Sequence, residues 1–148
     1  MNESATAGED VPLALQAARP GERFRSRVLV VDEDAATRRA VERVLVEANF
    51  DVLEASSGDE AVKLLWRTAR RGESIDLVLS EMETAAGRGP SGLGELLLEQ
   101  NHPPFILMTP SGGHGVFRDA MRLGADAVLR KPLDLQLLVL AVQVRTPH

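Results

Sequence analysis

The segment Val28-Leu-Val-Val-Asp-Glu-Asp34 carries two signals side by side. Its four apolar, mostly β-branched residues in a row suit a strand buried on both faces of a parallel sheet, because a strand with one wet face would alternate. Acids follow at once, and Asp34 can cap a helix by accepting from its first unpaired N–H groups. In that helix Val41, Val44, Leu45 and Ala48 recur at i, i+3, i+4 and i+7, which leaves Arg38, Arg39 and Arg43 for solvent. The segment is thus the joint of one βα unit.

The same alternation continues outward. Asp51-Val-Leu-Glu-Ala55 reads as a second strand, and Ser57-Gly-Asp-Glu60 is a capping-box signature opening a helix with Ala61, Leu64, Leu65 and Thr68 on one face. Arg67, Arg70 and Arg71 complement that helix's C-terminal dipole, and Gly72 supplies a left-handed stop. Ile75-Asp-Leu-Val-Leu-Ser80 is a third strand. After a glycine-rich loop, a short helix around Leu93 to Gln100 is ended by Pro103 and Pro104. Phe105-Ile-Leu-Met-Thr109 is the fourth strand, Val116 to Leu123 a helix closed by Gly124, and Ala127-Val-Leu-Arg130 the fifth strand before Lys131-Pro132. A last helix runs from about Asp134 to Arg145. This pattern predicts an α/β fold, a doubly wound five-stranded parallel sheet with helices on both faces, because each crossover is right-handed and covers the sheet. Ligands of such sheets bind at the carboxyl ends of the strands, where the strand order reverses.

Of the 148 residues 44% are hydrophobic and 26% charged, as expected of one domain with a single core. No apolar run approaches the ~20 residues that span a bilayer, so no membrane association is expected. The lack of cysteine excludes a disulfide framework and a thiolate metal site, and fits a cytoplasmic protein. A formal charge of -5 with no basic stripe argues against nucleic acid as a partner. Residues 1–26 lack the features of a secretory signal and read as a flexible N-terminal tail, in which Val11-Pro-Leu-Ala-Leu-Gln-Ala-Ala18 could form a turn or two of helix docked on the domain. The domain itself is assigned to 27–145, with 146–148 as a C-terminal tail.

Three strands end in groups that should converge: Asp32-Glu33-Asp34 after the first, Glu81 after the third and Lys131 after the fifth. Thr109 adds a hydroxyl at the same rim. Carboxylates crowded into one crevice repel unless a cation such as Mg²⁺, a lysine or a shared proton offsets them. Asp34 alone is read first as a helix cap.

Val30-Val-Asp-Glu-Asp34, Asp76-Leu-Val-Leu-Ser-Glu81, Ser91-Gly-Leu-Gly-Glu-Leu96, Thr109 and Gly124-Ala-Asp-Ala-Val-Leu-Arg-Lys-Pro132, in that order, resemble the receiver domain of two-component response regulators. The resemblance runs from about Arg27 to Arg145 and implies the flavodoxin-like strand order. It also implies that acids after the first strand hold Mg²⁺, that an aspartate after the third accepts a phosphoryl group, and that a threonine and a lysine bind it. An aromatic residue on the fifth strand reports the change. Carried over, Asp32, Glu33 and Glu81 match the metal acids, and Thr109 and Lys131 the phosphoryl-binding pair.

The pattern breaks at the acceptor. Glu81 stands where the resemblance calls for aspartate, and its extra methylene moves the carboxylate outward by ~1.5 Å. Val128 stands where the family carries its aromatic reporter. Ala85 replaces a proline of the loop, which reaches Ser91-Gly92 about three residues late and, with Gly87, Gly89 and Gly92, is expected to be mobile. Glu81 either imitates the phosphorylated state or pairs with Lys131 in a degenerate site. No cofactor is required on this reading, and Mg²⁺ binding is put in doubt.

Other features carry less. Ser80 is next to Glu81 on a strand and points to the opposite face. Ser111-Gly-Gly-His-Gly115 lacks the Walker spacing. His102, His114 and His148 show no metal-binding spacing and are assigned to the surface. Trp66 is assigned partial burial against a neighbour or the tail. In the last helix Leu135, Leu138, Val139 and Val142 suffice for the core face, while Leu137, Leu140 and Val144 form a second apolar stripe. By resemblance this is the partner or homodimer face; the N-terminal tail, through Leu13 and Leu15, is the other candidate to cover it.

Three functions follow as expectations. The first is a phosphorylation-independent signalling adaptor acting by protein–protein interaction with another signalling protein or itself. The second is a working single-domain response regulator that uses Glu81 and Mg²⁺ with a histidine kinase. The third, from the enzyme class, is a small hydrolase or phosphatase using the acidic crevice.

Overall fold

The computed structural model describes residues 25–81, 93–99, 101–110 and 114–147. Five strands, β1 (Arg27–Val31), β2 (Asp51–Ala55), β3 (Leu77–Glu81), β4 (Phe105–Thr109) and β5 (Ala127–Arg130), form one sheet in the order β2-β1-β3-β4-β5. All neighbouring pairs are parallel. Between the strands lie α1 (Ala35–Glu47), α2 (Gly58–Arg70), α3 (Leu93–Leu97) and α4 (His114–Arg122), and α5 (Leu135–Gln143) follows β5. Among the described residues no helix is long and apolar enough to cross a membrane.

The continuous apolar strands have two cores to fill. Val28, Val30, Leu77, Leu79, Ile106 and Met108 face α1 and α5, where Val41, Leu45, Leu138 and Val142 meet them. Leu29, Val31, Val78, Phe105 and Leu107 face the other way, against Ala61, Leu93, Leu97 and Ala120. A period of two in every strand thus supplies both layers. The order reverses between β1 and β3, which opens a crevice at their carboxyl ends.

Helix ends follow the local chemistry. Asp34 caps α1 through Ala36 N–H and the Thr37 hydroxyl, and the Thr37 hydrogen bond holds its carboxyl below the usual range. Ser57 Oγ accepts the Glu60 N–H at 3.2 Å, but the Glu60 carboxylate reaches back to the N–H and hydroxyl of Ser56, one residue before the cap, rather than closing the expected box on Ser57. Replacing Ser57 by alanine should cost about 1 kcal/mol in urea denaturation, the ordinary worth of such a cap. Gly72 (φ 72°) and Gly124 (φ 87°) adopt the left-handed conformation after α2 and α4.

Several boundaries differ from the sequence expectation. β3 starts at Leu77 because Asp76 turns its carboxylate onto the Arg27 N–H at 2.8 Å, and it runs on through Glu81, which pairs with Met108. α3 stops at Leu97, α4 starts at His114, and Asp134 caps α5 through the N–H groups of Gln136 and Leu137. The packed unit also passes its expected ends. Thr146 is buried with its hydroxyl on Val142 O at 2.9 Å, and Ser26 is buried with its hydroxyl on Pro147 O at 2.9 Å. Val11–Ala18, the 82–92 loop with Ala85 and its glycines, Ser111–Gly113, the His114 side chain and His148 lie outside the described residues.

Candidate signalling site at the carboxyl edge of the sheet

Asp32 follows β1 directly, Glu81 closes β3, Thr109 closes β4 and Lys131 follows β5, so four strands deliver these groups to one edge. Asp32 is fully buried. Lys131 Nζ lies 2.8 Å from Asp32 Oδ2 and 3.3 Å from Glu81 Oε2. The other two carboxylate oxygens are also engaged: Asp32 Oδ1 accepts the Asp34 N–H at 2.9 Å, and Glu81 Oε1 accepts the Glu33 N–H at 3.2 Å. Thr109 is buried, and its carbonyl accepts the Lys131 N–H at 2.8 Å, which ties the lysine's backbone to β4. One ammonium thus bridges two carboxylates held by separate strands.

Burial works against the charge on Lys131, but the hydrogen bond and attraction of Asp32, joined by those of Glu81, outweigh it and raise the ammonium above its ordinary 10.5. A folded pKa above the unfolded one means that this stabilisation is complete below about pH 10.4 and is lost as the pH rises through the folded value. The chain has two lysines, Lys63 and Lys131, and no tyrosine or cysteine, so its alkaline limb reports mainly this site. Urea midpoints taken from about pH 9 to 12 should fall for the wild type and stay nearly flat for Lys131→Met.

Arg38 departs from its solvent assignment. Its guanidinium donates to Asp32 O at 2.7 Å and to Glu54 at 3.1 Å, fastening α1 to the end of β1 and to β2. The signal available in the sequence was its place at i+4 from the cap residue Asp34, one turn inside the helix and still beside the strand ends.

By resemblance Asp32, Glu33 and Glu81 would hold the Mg²⁺, and in this structure those acids meet Lys131 and one another instead. Glu33 is exposed and contributes its N–H to Glu81, and the Lys131 ammonium lies between Asp32 and Glu81. Among the described residues no three carboxylate or imidazole groups converge as metal ligands.

Ser80 is buried and donates its hydroxyl to Glu81 O at 3.0 Å. Val128 is half-buried and packs against the core under α2 to α4. Leu137, Leu140 and Val144 are exposed at 55, 58 and 73%. Trp66, assigned to partial burial, is instead 57% exposed, on the rim of a groove of about 330 Å³ shared by Leu65, Ile75, Leu96 and Pro103 at the opposite end of the strands. His102, assigned to the surface, is half-buried and packs edge-on against Phe105, with 5.6 Å between ring centres.

A parallel sheet of this order, with acids and a lysine gathered at its switch point, defines a receiver. A family model of the response regulator receiver domain matches residues 28–143, and the chain belongs to that family. It is 30% identical over 114 residues to response regulator protein FleR of Pseudomonas aeruginosa, covering 77% of this chain and 23% of that protein. It is 26% identical over 115 residues to a cyclic di-GMP phosphodiesterase of Thermotoga maritima, covering 78% of this chain and 29% of that protein. The chain therefore spans less than a third of either relative's length. The crystal structure of a response regulator receiver protein from Burkholderia phymatum matches with a TM-score of 0.68 at 28% identity, over 84% of this chain and all of that one.

Proposed function

We propose that this receiver signals without being phosphorylated, as a cytoplasmic adaptor and not as an enzyme. The observation that carries the reading is the Glu81 carboxylate itself. It already makes the contact to Lys131 that, by family resemblance, a phosphoryl group would take, and it accepts the Glu33 N–H as well. Phosphoryl transfer relies on in-line placement of the acceptor, and a displacement of ~1 Å can cost ~100-fold in rate. Valine in place of an aromatic at position 128 removes the side chain that would report the event. The output surface is the exposed strip of α5, and the partner is another signalling protein or a second copy of the chain. The activity of the longer phosphodiesterase relative belongs to that protein. The test is incubation of the purified chain with a small acyl phosphate and Mg²⁺, followed by intact mass. No phosphoryl gain is expected; a gain that disappears in Glu81→Gln would establish the ordinary phosphorylation switch instead.

A further inference from the structure

Helix α5 carries no charged residue between Leu135 and Gln143. Its inner face is satisfied by Leu138 and Val142, yet Leu137, Leu140 and Val144 stand on the outer side, each more than half exposed. Helix α1, on the same face of the sheet, shows the usual arrangement, with Arg39, Arg43 and Glu47 outward. Apolar side chains at i, i+3 and i+7 make a strip about 10 Å long, given a rise of 1.5 Å per residue. Such a strip on an otherwise ordinary domain marks a contact surface.

The chain's own entry point selects the occupant. Ser26 is joined to Pro147, and Thr146 folds back onto Val142, so the N-terminal segment enters the domain beside the end of α5, close to Val144. Upstream lies Val11-Pro-Leu-Ala-Leu-Gln-Ala-Ala18, an uncharged and mainly apolar run eight residue steps from Ser26. A connecting chain of eight residues has a root-mean-square span of about 15 Å. That span is comparable to the strip's length, the regime in which tethering gives an effective concentration of order mM. A second copy at ordinary protein concentrations competes poorly with that.

We propose that residues 11–18 of this chain, through Leu13 and Leu15, cover Leu137, Leu140 and Val144. The segment masks the α5 surface until a partner displaces it. Only that last clause rests on α5 being the signalling face; the covering itself is independent of phosphate chemistry.

The absence of cysteine makes the test clean, since Gln16→Cys gives one site for a nitroxide label in the full chain. The expected result is loss of the amide NMR signals from Leu137 to Val144 and retention of those of α2, on the other face of the sheet. The loss should vanish when Leu137→Glu and Leu140→Glu are added. Unchanged α5 signals overturn the proposal. So does loss seen when labelled, isotopically silent chains are mixed with unlabelled visible ones, because that assigns the strip to a second copy. Phosphoryl uptake does not enter this readout, so failure here and failure of the Glu81 reading are separate results.

Discussion

Replacing Lys131 by methionine should destabilise the fold by about 3 kcal/mol, the low end of what removing one partner from a buried ion pair costs. The low end applies because Lys131 and Glu81 keep about a fifth of their side chains exposed, whereas Asp32 has none exposed. Methionine retains most of the aliphatic stem, so the loss isolates the ammonium. Asp32 is then left as a buried carboxylate without its ammonium partner, still accepting the Asp34 N–H. The double variant with Asp32→Asn tests the cause, because the amide has no charge to strand. Adding Lys131→Met to Asp32→Asn should cost well under half of what it costs in the wild type, a coupling measurable in a double-mutant cycle by urea denaturation. If Lys131→Met changes stability by no more than about 0.5 kcal/mol, as a surface substitution would, the bridge does not hold the crevice.

Much of this arrangement could be read before any coordinates. Val28–Val31 announced a doubly buried strand because its apolar run does not alternate, and the caps at Asp34 and Ser57 announced where helices begin because capping is a local interaction. The topology then required the acids and Lys131 to converge. What could not be read were contacts that depend on lateral register. Arg38 meets Glu54 because β1 and β2 pair Val30 with Glu54, a registration that no local pattern encodes. Glu81 lengthens β3 by a residue because Met108 on the neighbouring strand is there to pair with it. Trp66 shows the converse. Helical phase placed it at the edge of the core face, but whether anything covers such an edge is decided by the neighbouring α3, which leaves it open. Ser26 belongs to the packed unit through a hydrogen bond to Pro147 O across the two ends of the domain, a pairing visible only once both ends are placed.

On the function we propose, the side chain at position 81, and not the surrounding crevice, keeps the domain outside a phosphorylation cycle. Glu81→Asp shortens the carboxylate by one methylene, ~1.5 Å, and withdraws it from the Lys131 ammonium and the Glu33 N–H. That restores the acceptor which the family resemblance calls for and leaves Asp32, Thr109 and Lys131 in place. Because positioning dominates phosphoryl transfer, a shift of this size is worth about 100-fold in rate or more. The deciding measurement is the labelling rate of wild type and Glu81→Asp, side by side, with a small acyl phosphate and Mg²⁺, followed by intact mass. The wild type should stay unlabelled while Glu81→Asp gains one phosphoryl group at a rate at least about 100-fold higher. Equal labelling of the two proteins would contradict the account and make Glu81 a working acceptor.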